Sequence, residues 1–374
     1  MKIAINSIPT LSQLTGIGNC IYSLIKEFNR LRDDIDYTYY YGSLEGFKKE
    51  LRVYSPDSKV MIDSVKGVAR KIPLLPLISK GLNSFMSGLH LGKFDVYFEP
   101  NFIPLKIRAK RVVTSVYDFS FHHHPEWHPK DRSAYFKDKF HKGIKRSDAI
   151  ITNSNFIKDE ALSILDFDES QVKVIPLGYD SIFNDAKDAK ISIDIPEDYI
   201  LFVGSLEPRK NLVRLLKAYR QLPAQTRKEY KLLIAGFKGW NNSEIVSLFD
   251  EMKDDVKYLG FVDNETLAHL YKNAACFIYP SLYEGFGLPP LEAMACGCPV
   301  IVSDVASLPE VCADAAQYID PLDLDDISDG LNRVLLDAEL RQSMSTKGLT
   351  NAKRFSWEKS ALMYLDVFNE VLNT

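Results

Sequence analysis

The sequence contains few cysteines and no long apolar run. Its five cysteines are an odd number among 374 residues, and the spacing of Cys296 and Cys298 is neither a redox pattern nor a zinc pattern. We therefore predict reduced, mostly buried thiols. No apolar run approaches the roughly 18 residues that a membrane-spanning helix needs, and the initial letters MKIAINSI turn polar too soon for a signal peptide. These absences predict a cytoplasmic protein.

A large net charge is also missing. The net charge of −4 excludes general nucleic-acid binding. Basic residues are nevertheless concentrated between Lys59 and Arg111, where ten Lys and Arg and only three acidic residues are interleaved with apolar side chains. This mixture is typical of a segment on an anionic membrane surface, and it is equally compatible with a packed core beneath solvated lysines. The first alternative predicts peripheral contact with the inner face of the cell membrane.

The length and the apolar pattern indicate the fold class. A chain of 374 residues is long enough for two domains of ordinary size. Short apolar runs alternate with amphipathic helical patterns in both halves, which predicts an α/β fold with two doubly wound domains. We place these domains at residues 1–180 and 181–356, because residues 180–198 are polar and contain proline. Residues 357–374 form an amphipathic pattern with predicted core positions at Trp357, Leu362, Leu365, Phe368 and Leu372.

Residues 275–304 predict a strand, a loop, a helix and a second strand in that order. Pro290 suits the first helical position, because its missing amide hydrogen would have no partner inside the helix. Gly297 is typical of a residue that ends a helix. Glu292 is then predicted in the first turn of this helix and Glu284 in the loop before it.

That loop has the composition of an anion-binding turn. Gly285 and Gly287 allow a close approach of the backbone to a ligand, and amides at a helix N-terminus attract an anion such as a diphosphate. Carboxylates repel phosphate, so Glu284 and Glu292 are better suited to accept hydrogen bonds from sugar or ribose hydroxyls. The alternative is that Glu292 only complements the helix dipole and that Glu284 is solvated.

A second loop carries two adjacent cations. Residues 204–211, with the sequence GSLEPRKN, lie between an apolar run and a helical pattern. Arg209 and Lys210 are unfavourable beside a helix N-terminus unless an anion binds there. The loop therefore predicts an anion site, and the alternative is two solvated charges.

A third loop, near the amino terminus, contains Gly16 and Gly18 ahead of a helix for which Asn19 is the predicted N-cap. Ile21 stands where a dinucleotide-binding fingerprint needs its third glycine, so that fingerprint is absent. The glycines indicate either a ligand-facing turn or simply a tight turn.

A group of histidines also lies close together in the sequence, at His122, His123, His124 and His128. They lack the spacing of metal ligands and the Cys or paired carboxylates that would complete a metal site.

These motifs together resemble those of family 4 retaining glycosyltransferases, which use nucleotide sugars and have the GT-B fold of two Rossmann-like domains facing across a cleft. The EGFGLPPLE sequence from Glu284 to Glu292 resembles the E-x7-E motif of that family, and GSLEPRKN resembles its diphosphate-binding loop. The resemblance implies that Arg209 and Lys210 hold the donor diphosphate. It also implies that Glu284 binds the donor sugar and Glu292 its ribose.

The resemblance extends to other positions, with one departure. The family reads the nucleotide base after a Leu-Gly-Phe-Val strand, which implies Phe261 and Val262 here. Tyr117, ahead of Asp118, stands where the family has a histidine, so Tyr117 or one of the histidines from 122 to 124 takes that role. The remaining residues implied in donor binding are Gly16, Gly18, Gly204, Ser205, Gly285, Phe286, Gly287 and Leu288, and Asp118 joins Glu284, Arg209 and Lys210 as catalytic.

The resemblance implies transfer of a hexose to a glycan or lipid-linked acceptor without a metal cofactor. GDP-mannose is the favoured donor, because the DFSFHHHPEWHP and GSLEPRKN loops look most like those of bacterial mannosyltransferases of surface-polysaccharide assembly, such as lipopolysaccharide. UDP-glucose, UDP-galactose and an N-acetylhexosamine donor stay open. So do a sugar-nucleotide epimerase and a noncatalytic sugar-nucleotide-binding protein. In this fold the carboxyl-terminal helix returns to the first domain.

Overall fold

The computed structural model describes residues 1–11, 16–42, 45–54, 94–184, 195–239 and 243–374. These residues form two β-sheets flanked by helices. The strands are β1 Lys2–Asn6, β2 Asp36–Tyr40, β3 Phe47–Lys48, β4 Phe94–Glu99, β5 Ala109–Val116, β6 Ala149–Thr152, β7 Val172–Val174, β8 Tyr199–Val203, β9 Lys231–Ala235, β10 Val256–Gly260, β11 Cys276–Tyr279, β12 Val300–Ser303 and β13 Ala316–Ile319.

The helices connect these strands in the alternating pattern expected from the sequence. They are α1 Ile17–Leu31, α2 Ser120–His123, α3 Lys130–Ile144, α4 Asn155–Ile164, α5 Leu212–Gln221, α6 Ala224–Glu229, α7 Ser243–Glu251, α8 Asn264–Asn273, α9 Leu288–Ala295, α10 Leu308–Cys312, α11 Leu324–Leu336, α12 Ala338–Ala352 and α13 Trp357–Asn373.

The first sheet has the strand order β3-β2-β1-β4-β5-β6-β7, and the second has β10-β9-β8-β11-β12-β13. Every pairing is parallel except that between β2 and β3. Parallel strands covered by helices are buried on both faces, which explains their continuous apolar sequences. In each sheet the strand order reverses beside a central strand, β1 or β8. Ligands of open α/β sheets bind at the carboxyl ends of the strands at such a reversal.

The carboxyl-terminal helix α13 packs on the first sheet, as the family resemblance implies. The Tyr364 and Phe368 rings lie 5.2 and 5.4 Å from that of Phe98. The prediction that Leu362 is a core residue is wrong, because its side chain is 46% exposed. The inward face of the helix instead includes Ala361, Tyr364, Val367 and Val371, because its apolar surface is centred on Tyr364 and Phe368.

Two predicted helix starts are wrong. Helix α1 begins at Ile17 with Gly16 as its N-cap, and Asn19 is already helical. Helix α9 begins at Leu288, two residues before Pro290, because prolines are tolerated throughout a first turn. Glu292 therefore lies in the second turn rather than in the first. Helix α9 ends before Gly297, which has the predicted left-handed backbone with φ of 75°.

The cysteine prediction is confirmed. All five are free thiols, four of them buried and Cys296 partly buried. Most of the basic segment between Lys59 and Arg111 falls on residues 55–93, outside the described residues. Among the helices that the structure describes, no one combines the length and the apolar character needed to cross a membrane.

Candidate active site

The loop between β11 and α9 lies directly against the first domain. A Cβ atom added to Gly285 would lie 1.8 Å from the carbonyl oxygen of Tyr117 and 3.2 Å from the Cβ atom of Asp118. Only glycine allows this approach of two backbones. The loop that follows β5 and the loop that follows β11 therefore meet where the two domains face each other.

Glu284 lies at the centre of a buried ionic cluster in this region. Its Oε2 atom is 3.0 Å from Nη1 of Arg209, and its Oε1 atom is 2.6 Å from Nζ of Lys210. Arg209 also pairs with Glu207 at 3.0 Å, and Lys210 donates to the hydroxyl of Tyr279. The side chain of Glu284 is only 8% exposed. The alternatives in which Glu284 and the two cations are merely solvated are therefore wrong.

Local backbone geometry brings the two cations together. Residues Pro208–Lys210 form a single 3-10 turn after β8, and Asn211 follows in the left-handed conformation with φ of 59°. Nδ2 of the Asn211 side chain donates to the carbonyl oxygens of Pro280 and Pro321, at 3.0 and 2.7 Å. These bonds fix an unfavourable backbone conformation, and the turn aims Arg209 and Lys210 at the same carboxylate.

The ionisation of this cluster follows from its burial. Burial alone would raise the pKa of Glu284, but the charges of Arg209 and Lys210 outweigh it and lower the pKa to about 2. Burial lowers the pKa of Lys210, and the neighbouring Arg209 lowers it further, while Glu284 acts in the opposite direction. Burial would likewise lower the pKa of Arg209, but Glu284 and Glu207 together raise it.

Glu292 has a different environment. Burial raises its pKa to about 8, the charge of Asp180 adds to this effect, and the hydrogen bond from Tyr271 opposes it. The Tyr271 hydroxyl lies 3.5 Å from Oε2 of Glu292. Burial raises the pKa of Cys20 in α1, and the charge of Glu292 adds to that shift. No salt bridge to Glu292 occurs among the described residues.

Two helix N-termini at the cleft lack side-chain caps. Gly16 caps α1 with φ of 45°, and Gly287 caps α9 with φ of 110°, and neither cap offers a side-chain acceptor. Gly18 is the second residue of α1 and Leu288 is the first of α9. Their backbone amides belong to the set that has no partner inside a helix. Such amides attract an anion.

The other residues predicted to bind the donor differ in their exposure and in which of their atoms face the cleft. The Phe286 ring packs edge-on against Phe355 at 5.6 Å, so only the backbone of Phe286 is available at the cleft. Gly204 and Ser205 follow β8 directly. Phe261 is 51% exposed after β10, and its ring stacks on that of Phe237 at 4.6 Å. Val262 follows it and is partly buried.

The loop after β5 places Asp118 at the domain contact and turns Tyr117 away. Asp118 accepts hydrogen bonds from the amide and the hydroxyl of Ser120, at 3.0 and 2.7 Å. The Tyr117 side chain is buried beside Phe102, and within the described residues its hydroxyl has no hydrogen-bond partner. Tyr117 is therefore not available to replace the histidine of the family pattern. His123, by contrast, is exposed at the end of α2.

Sequence reasoning missed a group of residues that joins the two domains. Nε2 of His123 lies 2.9 Å from Oε1 of Glu160, and the Tyr283 hydroxyl donates to Oε2 of the same carboxyl. Burial raises the pKa of Glu160 to about 7, Tyr283 opposes this shift and Asp118 adds to it. No sequence motif indicated Glu160. Within the described residues, no cluster of His, Cys, Asp and Glu could hold a metal ion.

Two Rossmann-like domains, with a buried ionic cluster and uncapped helix N-termini where they face each other, define a protein of the GT-B class. The same fold occurs in sucrose-phosphate synthase from Thermosynechococcus elongatus, with a TM-score of 0.71 and 19% identity over 100% of this chain and 99% of that one. It also occurs in Anabaena HepE in complex with UDP and glucose, with a TM-score of 0.67 and 15% identity over 99% of each chain.

Sequence comparison identifies the family. Residues 14–182 match Glycosyltransferase Family 4, and residues 183–350 match Glycosyl transferases group 1. The O-antigen chain mannosyltransferase B of Escherichia coli is 33% identical over 379 residues, which cover 98% of this chain and 99% of that protein. The chain therefore belongs to the family 4 glycosyltransferases, as the motifs predicted.

Proposed function

We propose that the protein transfers mannose from GDP-mannose to a growing surface polysaccharide, with retention of the anomeric configuration. The observation that carries the site assignment is the buried cluster of Glu284, Arg209 and Lys210 at the domain contact. The choice of mannose rests on the similarity to the O-antigen chain mannosyltransferase over almost the whole chain.

The difficult step is the departure of the diphosphate while positive charge develops on the sugar ring. In our proposal Arg209 and Lys210 stabilise the leaving group together with backbone amides at the starts of α1 and α9. Fixed charges and dipoles of this kind need no reorganisation during the reaction, and the loss of one such group typically costs about 10²-fold in rate or more.

The two carboxyl groups of the EGFGLPPLE motif are assigned to neutral parts of the donor. Glu284 accepts hydrogen bonds from the sugar hydroxyls while its charge holds Arg209 and Lys210 in place. Glu292 binds the ribose, and the exposed Phe261 with its neighbour Val262 contacts the base. Asp118 approaches the same space from the first domain. The two cations supply the positive charge, so the reaction is proposed to need no divalent metal.

The acceptor in this proposal is a glycan or a lipid-linked oligosaccharide. A lipid-linked acceptor would bring the protein to the inner face of the cell membrane, and the basic segment between Lys59 and Arg111 is our candidate for that contact. Association with anionic vesicles that depends on this segment and weakens with salt would support the assignment.

A single assay separates this function from the alternatives. The protein is incubated with GDP-mannose, UDP-glucose, UDP-galactose and a UDP-N-acetylhexosamine, each with and without an oligosaccharide acceptor and each with and without EDTA. We expect acceptor-dependent release of GDP and an α-mannosylated product that EDTA does not suppress. Transfer from a UDP sugar alone would contradict the donor assignment. Conversion of a donor without acceptor would indicate an epimerase, and binding without turnover a noncatalytic protein.

A further inference from the structure

Tyr283, the residue before Glu284, bonds across the domain boundary. Its buried hydroxyl accepts a hydrogen bond of 3.0 Å from the backbone amide of Phe119 and donates one to Oε2 of Glu160. Glu160 lies on α4 of the first domain, where its other oxygen meets His123 at 2.9 Å. A residue of the second domain is therefore held by two groups of the first.

Gly285, the residue after Glu284, is also bonded to the first domain. Its carbonyl oxygen accepts a hydrogen bond of 2.8 Å from the hydroxyl of Ser154, the N-cap of α4. Helix α4 thus contacts the loop through Ser154 and again through Glu160. Glu284 lies between two anchored neighbours.

The partners of the Glu284 carboxylate itself all belong to the second domain. Arg209 and Lys210 precede α5, so this ionic cluster can form with the domains apart. The bonds of Tyr283 and Gly285 can form only when the domains are in contact. The first domain therefore adds control over the position of the loop backbone.

We propose that Glu160 and Tyr283 are positioning residues that form an interdomain tether, which fixes Glu284 against the donor sugar when the domains close. This inference rests on the proposed transferase function. Closure in enzymes commonly completes the catalytic arrangement, and a displacement of about 1 Å can cost about 10²-fold in rate. Tyr283 meets the diphosphate-binding cations only through its carbonyl oxygen, which accepts a bond of 3.4 Å from Arg209. Because the tether uses the side chain instead, its loss is expected to change turnover and to leave nucleotide affinity intact.

The first test is Tyr283→Phe, which removes one oxygen atom and retains the ring packing against Phe156 at 5.8 Å. We expect kcat for sugar transfer to fall about tenfold, equivalent to about 1.4 kcal/mol, with affinity for the nucleoside diphosphate within twofold of the wild type. The matched control is Tyr318→Phe, which loses a bond to the carbonyl oxygen of Ala313 inside the second domain and should leave kcat unchanged.

The second test is a double-mutant cycle with Glu160. In Glu160→Gln the amide oxygen can still accept from Tyr283, so we expect most of kcat to be retained, whereas Glu160→Ala should lose about as much as Tyr283→Phe. The double variant Tyr283→Phe/Glu160→Ala should lose clearly less than the product of the two single losses, because both changes remove the bond between Tyr283 and Glu160. Each change also removes one bond of its own, from the Phe119 amide to Tyr283 or between His123 and Glu160. Multiplicative losses, or a loss of nucleotide affinity equal to the loss of kcat, would overturn the tether.

Small-angle X-ray scattering at saturating nucleoside diphosphate provides a readout that does not depend on turnover. We expect a larger radius of gyration for Tyr283→Phe than for the wild type and Tyr318→Phe. Identical radii together with an unchanged kcat would refute the tether. Failure of the wild type to transfer any sugar would instead refute the proposed function.

Discussion

The two glutamates of one nine-residue motif have opposite environments. Glu284 is paired with two cations, and its pKa is lowered to about 2. Glu292, eight residues further along the chain in α9, has no cation partner among the described residues, and burial raises its pKa to about 8. The same side chain is thus held as a carboxylate at position 284 and favours the protonated form at position 292. Environment rather than residue type separates their roles.

This contrast suggests a division of labour along the donor. A permanently charged Glu284 keeps Arg209 and Lys210 buried and ordered before any ligand arrives. A carboxyl such as Glu292 can exchange its proton for hydrogen bonds from ribose hydroxyls. In our proposal, the part of the site that holds the diphosphate is therefore preorganised by charge, and the part that holds the nucleoside adjusts to the ligand.

Replacing each glutamate by glutamine gives the largest contrast. We expect Glu284→Gln to lower kcat about 10³-fold, because it removes the charge that orients two buried cations at the reacting centre. Glu292→Gln resembles the protonated side chain and should lose less than about tenfold. Steady-state kinetics of the two variants, with circular dichroism to confirm folding, make the comparison. Equal losses would show that the two carboxyls do not differ in role.

The next largest loss of turnover is expected from a change in the backbone beside Glu284. Gly285→Ala places a Cβ atom 1.8 Å from the carbonyl oxygen of Tyr117, so the loop or the domain must shift by more than 1 Å. We expect a loss of about 10²-fold in kcat, measured with saturating donor and acceptor. The control is Gly348→Ala, where the nearest atom, Cγ of Met294, lies at 3.3 Å and is flexible. Wild-type turnover in Gly285→Ala would contradict close apposition of the domains during catalysis.

A smaller effect is the pH dependence of stability. The pKa of Glu292 is raised from 4.5 to about 8, so the folded protein binds this proton more tightly than the unfolded chain does. The resulting stabilisation is complete below about pH 4.5 and is lost as the pH rises through about 8. We expect the wild type to lose stability relative to Glu292→Gln, by the order of 4 kcal/mol, between pH 5 and pH 9.

The other glutamate supplies the control for this experiment. The pKa of Glu284 is lowered to about 2, so its contribution is present above about pH 4.5 and is lost only as the pH falls towards 2. Thermal unfolding of Glu284→Gln should therefore differ from that of the wild type by a constant amount between pH 5 and pH 9. A constant difference for Glu292→Gln as well would show that Glu292 is not protonated in the folded protein.

Much of the fold could be predicted from the sequence because buried parallel strands have continuous apolar runs. The run Tyr199–Val203 coincides with β8 residue for residue. Strand β2 was not predicted, because its sequence DYTYY lacks such a run and relies on neighbouring strands. The start of α1 was placed too late because Gly16, rather than a polar side chain, caps the helix. The exposure of Leu362 depends on which helix face meets the sheet.

The sequence predicted which side chains lie together at the cleft, but not which of them bond to one another. Their positions in loops between a strand and a helix, together with the family resemblance, indicated that Arg209, Lys210 and Glu284 share one cleft. They could not indicate the ion pairs, because the partners are about 75 residues apart and meet only through the sheet topology. Tyr283 and Glu160 lie outside any recognised pattern, and their hydrogen bond depends on how the two domains pack.

Calorimetry of Lys210→Ala is the sharpest test of our proposal that Arg209 and Lys210 bind the donor diphosphate. The experiment compares the affinities of the variant and the wild type for a nucleoside diphosphate and for its nucleoside. The exposed Lys217→Ala, which loses only a surface pair with Glu244, serves as the control. We predict a loss of about 10²-fold for the diphosphate and less than twofold for the nucleoside. Equal losses for both ligands would contradict the account.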